Sequence, residues 1–160
     1  MTQTSLLLKI LLMGPMFWCS AVAQEVSAGS WEYGRDGSGD ATRLHATVAG
    51  KVDDGASATL TFYDSEIAGR QAHVALPFLP DCVTGCRVAL SLDGATVETV
   101  RATILPTSDT TLTLRNARNI WRNLDNAQVL EIAITAEGGA KRHAVFKVGG
   151  FDVQALPGWK

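Results

Sequence analysis

The chain has 160 residues, 46% of them apolar and 19% charged, and a formal net charge of −2. That balance is ordinary for a folded globular protein, and it excludes both a disordered chain and a nucleic-acid binder of the strongly basic kind. The apolar residues are concentrated near the N-terminus.

Residues 1–23 read as a secretory signal peptide. Lys9 is the only charge, the run from Ile10 to Trp18 is apolar, and Ala21-Val22-Ala23 supplies small residues for cleavage before Gln24. A membrane anchor needs roughly 20 apolar residues, and this stretch is shorter and interrupted by Gly14-Pro15. A lipoprotein signal at Cys19 is disfavoured by bulky Trp18, where lipidation signals carry a small residue. Cleavage would leave residues 24–160, a single domain of 137 residues with 13 basic and 16 acidic side chains. No later segment could span a membrane, so the expected location is the periplasm or the medium.

From Arg43 onward the dominant pattern has period two. It recurs over residues 43–49, 58–63, 72–76, 87–92, 96–104, 110–115, 129–135 and 143–148, each rich in β-branched or aromatic residues. Turn residues separate these runs, notably Asp53-Asp54-Gly55, Asp93-Gly94 and Glu137-Gly138-Gly139. Asp-Gly between two strand patterns is a strong signal for a two-residue hairpin. Short antiparallel strands at this spacing indicate a sandwich or a barrel, and the fold expected is all-β, an antiparallel β-sandwich. One segment departs from the pattern: Ala117, Ile120, Trp121 and Leu124 fall on one helical face. A short inserted α-helix is expected there, with Asn116 capping its start and Trp121 packing over an open end of the core.

Removing Cys19 with the leader leaves Cys82 and Cys86 as an even pair. In an exported chain the default is a disulfide, and a loop this short contributes about 2 kcal/mol by the chain-entropy relation. A redox site usually has two spacers and a following helix, whereas here there are three and a strand. Zinc would need two more ligands. No cofactor or metal is called for.

No complete catalytic motif occurs around His45, His73 or His143, which lie on separate strand patterns and read as surface or rim histidines. Asp36-Gly-Ser-Gly-Asp40 resembles part of a calcium loop but lacks the remaining acidic ligands, and reads as a flexible turn. Trp31, Tyr33, Phe62, Tyr63 and Phe78 suit core packing before carbohydrate stacking. Arg115, Arg118 and Arg122 fall on one helix face and, with Lys141 and Arg142, compose a candidate anion- or partner-binding patch. The competing reading is the solvated face of an amphipathic helix.

Two C-terminal stretches carry a resemblance. Cys82-Val-Thr-Gly-Cys86-Arg-Val-Ala-Leu90 and Phe146-Lys-Val-Gly-Gly-Phe151-Asp-Val-Gln-Ala-Leu156 resemble the invasion-associated locus B family of exported bacterial β-rich proteins. The shared features are Gly85-Cys86, Gly150-Phe151 and Ala155-Leu156, with one extra residue before Ala155, and Trp31 corresponds to an opening tryptophan. The likeness spans residues 80–156. The N-terminal half lacks a further cysteine pair, and the stretch from Leu112 to Trp121 reads as an insertion. A similar final strand also occurs in periplasmic accessory proteins of type VI secretion. The resemblance implies an envelope protein linked to host interaction or envelope integrity, with no catalytic site to carry over.

The expected function is therefore a non-enzymatic binding or accessory module, with an envelope protein, anionic glycan or lipid headgroup as partner and no nucleic acid. Its contact surface is expected at the arginine face or at an exposed strand edge. The alternatives are a small cell-wall or glycan hydrolase, requiring a histidine beside a carboxylate in a cleft, and an inhibitor or immunity-type protein.

Overall fold

The computed structural model describes residues 29–39 and 42–159. The signal-peptide reading, with Lys9, Cys19 and the Ala21–Ala23 site, lies outside the described residues, as does Asp40.

Nine strands follow one another: β1 (Trp31–Asp36), β2 (Arg43–Val52), β3 (Ser57–Ser65), β4 (Gly69–Ala75), β5 (Cys86–Leu92), β6 (Ala95–Leu105) and β7 (Ser108–Leu114) precede helix α1 (Ala117–Asn123), and β8 (Val129–Thr135) and β9 (Lys141–Lys147) follow it. A 3-10 turn at Pro157–Trp159 ends the described chain. The strands pair in the order β1-β2-β3-β4-β7-β6-β5-β8-β9, and β9 returns to pair with β2. Strands β2 to β9 thus form a closed, eight-stranded antiparallel barrel.

This corrects the expectation of a sandwich. Alternation along a strand tells which side is buried, and both architectures produce it. What decides between them is a contact between distant parts of the chain: Gly50, Lys51 and Val52 pair with Phe146, Val145 and Ala144. Gly50 makes that approach possible, because a Cβ there would stand 2.4 Å from Phe146 Cδ1 and 2.5 Å from the Val145 carbonyl. The remaining length of the same β2 edge, Arg43 to Val48, is covered by β1, which stands outside the ring.

Inward-facing residues fill the barrel. Val48, Leu60, Phe62, Val74, Val88, Leu112, Leu130, Ile132 and Phe146 are all buried, as are the small residues Ala46, Ala72, Ala102 and Ala144 between them. The alternate residues, among them Thr47, Thr59, Arg87, Thr99, Arg101 and Lys147, face outward. This polarity is the reverse of a lipid-facing barrel. Among the described residues no helix is long and apolar enough to cross a membrane.

The Asp93-Gly94 hairpin forms as expected, with φ of 49° and 82°, the positive values its turn type demands. Asp93 also accepts hydrogen bonds from the backbone of Gln128 at 3.0 Å and Val129 at 2.8 Å, fastening the hairpin to β8. Helix α1 forms within the expected segment, but the capping role given to Asn116 is corrected. Its backbone is left-handed (φ 59°) and its side chain makes no cap bond. The side chain donates instead to Glu98 Oε1 at 2.6 Å, and Asn119 donates to the other Glu98 oxygen at 2.9 Å. Glu98 thereby ties α1 to β6.

The helix directly follows β7 and lies over that end of the barrel. Trp121 is buried against Phe62, Phe151 and Trp159, with ring centroids 5.0, 4.1 and 5.2 Å away. Leu124 and Leu156 are fully buried beside this aromatic plug. Trp31 joins it from β1, 5.1 Å from Phe151, with its indole nitrogen donating to the Val148 carbonyl at 3.0 Å. Of the five aromatics assigned to the core, Phe62 is fully buried. Trp31, Tyr63 and Phe78 are half-buried, and Tyr33 is exposed.

Candidate anion-binding site

The five basic residues grouped by sequence occupy two places. Arg115 precedes α1, in the turn after β7, while Arg118 and Arg122 project from the helix, and all three are exposed. Lys141 and Arg142 open β9, on the far side of the disulfide loop. There Asp81 donates its backbone N–H to the Thr135 carbonyl at 2.9 Å, and Pro80 bridges to Ala136. This segment separates the two groups.

Arg142 is already engaged. Its guanidinium lies 2.6 Å from Asp54 and 3.7 Å from Asp53 and stacks over the Phe78 ring at 5.1 Å. The turn is itself fixed, since Asp53 accepts from the His143 backbone at 3.0 Å. Asp54 accepts from the Ala56 N–H, and that bond and Arg142 hold its carboxyl below the usual range. These contacts clamp the β2–β3 turn onto β9 beside the barrel seam.

Arg115 has different company. Its N–H donates to the Arg101 carbonyl at 2.8 Å, and Arg101 pairs directly with Arg87 on β5. Three exposed arginines therefore stand side by side, Arg87 on β5, Arg101 on β6 and Arg115 just past the end of β7. They line a shallow depression of about 650 Å³, walled by Thr84, Gly85 and Cys86 of the disulfide loop and by Thr103. Among the described residues no carboxylate engages any of the three guanidinium groups. Glu98, on the same strand as Arg101, is turned to Asn116 and Asn119. Like charges directly opposite one another destabilise a sheet, by an amount on the order of half a kcal/mol per pair.

Arg87 and Arg101 were missed in the sequence, although a signal existed. Arg87, Arg101 and Arg115 are evenly spaced, fourteen residues apart each time, so folding the strands back at each turn sets them level. A simple hairpin register at Asp93-Gly94 would nevertheless oppose Arg87 to Val100. A one-residue shift between Leu90 and Ser91 brings Arg101 into line, and no local pattern announces such a bulge.

Cys82 and Cys86 form the expected disulfide. Gly85 sits inside that loop at φ 88°, and its N–H donates to the Cys82 carbonyl at 2.8 Å. The bridge fixes the point from which β5, and with it Arg87, begins.

The histidines lie on the outer wall of the barrel. His143 Nδ1 is 2.6 Å from Glu131, and His45 Nδ1 is 3.3 Å from Asp36, so two of the three do stand beside carboxylates. Neither lines the larger clefts, of which the 580 Å³ one is bordered by Arg35, Asp64, Glu66 and Arg70. Asp36 is also paired with Arg43, at 3.5 Å. Among the described residues no group of three or more His, Cys, Asp or Glu is placed to hold a metal.

Neither a family model nor a curated protein matches the chain. Among solved structures, the crystal structure of invasion associated protein B from Bartonella henselae is similar at a TM-score of 0.56. The match covers 83% of this chain and 93% of that one at 15% sequence identity. At that identity the likeness is one of fold. It extends well beyond the C-terminal stretches that carry the sequence resemblance. The intact Cys82–Cys86 disulfide fits an oxidising compartment.

Proposed function

We propose that this chain is an exported, non-catalytic binding module of the bacterial envelope, akin in role as well as fold to invasion associated protein B. Its filled interior carries the reading. The inward-facing side chains are buried and Trp121 and Trp159 cover one end, so the described residues fill the lumen, unlike the larger or emptier barrels that enclose a ligand. The surface that remains to act is the outer one, and its cationic part around Arg115, Arg118 and Arg122 suits an anionic envelope component. Lys141 and Arg142 stand apart from that surface, and Arg142 serves the seam.

The hydrolase alternative would require a histidine and a carboxylate converging in a cleft, whereas both pairs found here stand on the open wall. The test is retention of the mature protein by isolated envelopes of its source cell. Replacing Arg115, Arg118 and Arg122 with Glu is expected to release most of the bound protein, and moderate salt is expected to do the same to the native chain. Equal retention of native and charge-reversed proteins would overturn this assignment.

A further inference from the structure

We infer that the row Arg87–Arg101–Arg115 is a binding site for a linear glycan carrying sulfate or phosphate esters. The inference rests on the envelope-module reading and deepens it by naming a ligand class and two arginines outside the patch read from the sequence.

Three observations converge on this row. The first is spacing. Residues directly opposite on neighbouring strands have Cβ atoms about 5 Å apart, so the row presents three cations at regular intervals over roughly 10 Å. Ester groups on successive sugars of a linear glycan recur at comparable spacing, and a guanidinium meets a tetrahedral oxyanion through two parallel N–H donors. The second is charge without compensation. Arg142 and Arg43 have carboxylate partners elsewhere on the barrel, whereas the row has none among the described residues, and like charges opposite each other weaken a sheet unless an anion joins them. The third is the surroundings. Thr84 and Thr103 border the depression and offer hydroxyls of the kind that hydrogen-bond to sugars. Among the described residues, none of the large exposed apolar side chains lines it, which leaves too little apolar surface to seat the row in a lipid bilayer.

The loop closed by the Cys82–Cys86 disulfide forms one wall of the depression. An oxidised bridge therefore keeps that wall in place before the ligand arrives, which lowers the ordering cost of binding.

The experiment uses the oxidised mature chain and four probes at low ionic strength: a heparin-derived hexasaccharide, its desulfated counterpart, a phosphorylated mannan oligosaccharide, and vesicles of phosphatidylglycerol with phosphatidylcholine. The expected result is binding to the sulfated or the phosphorylated glycan, whichever it is naming the ester, with little to the desulfated one or to vesicles. Arg101→Gln, which removes the central cation, should weaken binding by roughly tenfold. It should also flatten the dependence of affinity on salt. Replacing Arg35, Lys51 and Lys147 together by Gln removes more charge but should change affinity less than Arg101→Gln does. A second readout separates binding from folding: Arg101→Gln should leave the melting temperature unchanged or raised, because it relieves repulsion on both sides. Three results would overturn the inference: no binding to either anionic glycan, stronger binding to vesicles than to glycans, or equal loss in the control variant. Failure with every glycan while the protein is still retained by envelopes would leave the envelope-module reading standing.

Discussion

His73 lies on the outward side of β4, yet only 9% of its surface is exposed. It packs 5.0 Å from the Tyr63 ring, which Arg43 caps from 4.1 Å, and its Nε2 is buried without a hydrogen-bond partner. Burial, with a smaller contribution from Arg43, holds its pKa below the ordinary 6.5. The unfolded chain takes up this proton at the ordinary value and the folded chain resists it. Between the two values the unfolded state therefore binds more protons, and stability falls as pH drops below 6.5 until the folded pKa is passed. Urea midpoints measured across that acid range should show the decline, and His73→Gln should make it shallower. Identical slopes in the two proteins would remove His73 as the cause. Nothing in the sequence separated this histidine from the other two, because all three sit on similar alternating patterns. The difference comes from neighbours brought in by pairing, with Thr61 on one side and Thr113 on the other.

Among the elements, α1 was the most legible. The spacing of Ala117, Ile120, Trp121 and Leu124 specified both a helix and the side it buries, and a seven-residue helix is too short to persist without that packing. Trp121→Ala removes the ring that touches Phe62, Phe151 and Trp159. It should cost about 3–5 kcal/mol, seen as a lowered denaturation midpoint with loss of near-ultraviolet dichroism. A loss below about 1 kcal/mol would mean that the barrel end is closed without the tryptophan. The arginine row was less legible for a reason that belongs to the same scale. Strand identity can be read from alternation, but which residue stands beside which depends on irregularities in β5–β6 and β6–β7 pairing. Helical spacing therefore puts Arg115 on a helix face, whereas in the fold it stands level with Arg101, just past the end of the β7 ladder.

At the scale of the whole molecule, closure rests on three residue pairs between β2 and β9. A Cβ on Gly50 would press on the Val145 carbonyl as well as on Phe146, and backbone cannot step aside as a flexible side chain can. Gly50→Ala should therefore destabilise the fold by about 2 kcal/mol and speed amide exchange in β9 ahead of β5 and β6. Uniform exchange across the sheet would contradict a weakened seam. The seam was illegible beforehand because it joins residues near opposite ends of the domain, and local periodicity carries no information about such a meeting. β1 is absent from the alternating runs for a related reason: Gly34 interrupts its alternation, and its backbone pairs with the barrel along one edge only. That position makes the barrel and its first strand separable parts. The ring is complete without β1, which docks along Arg43–Val48 and inserts Trp31 beside Phe151. A cut in the connection between β1 and β2 would turn one protein into a receptor and its peptide, able to find each other again through six backbone pairs and one indole.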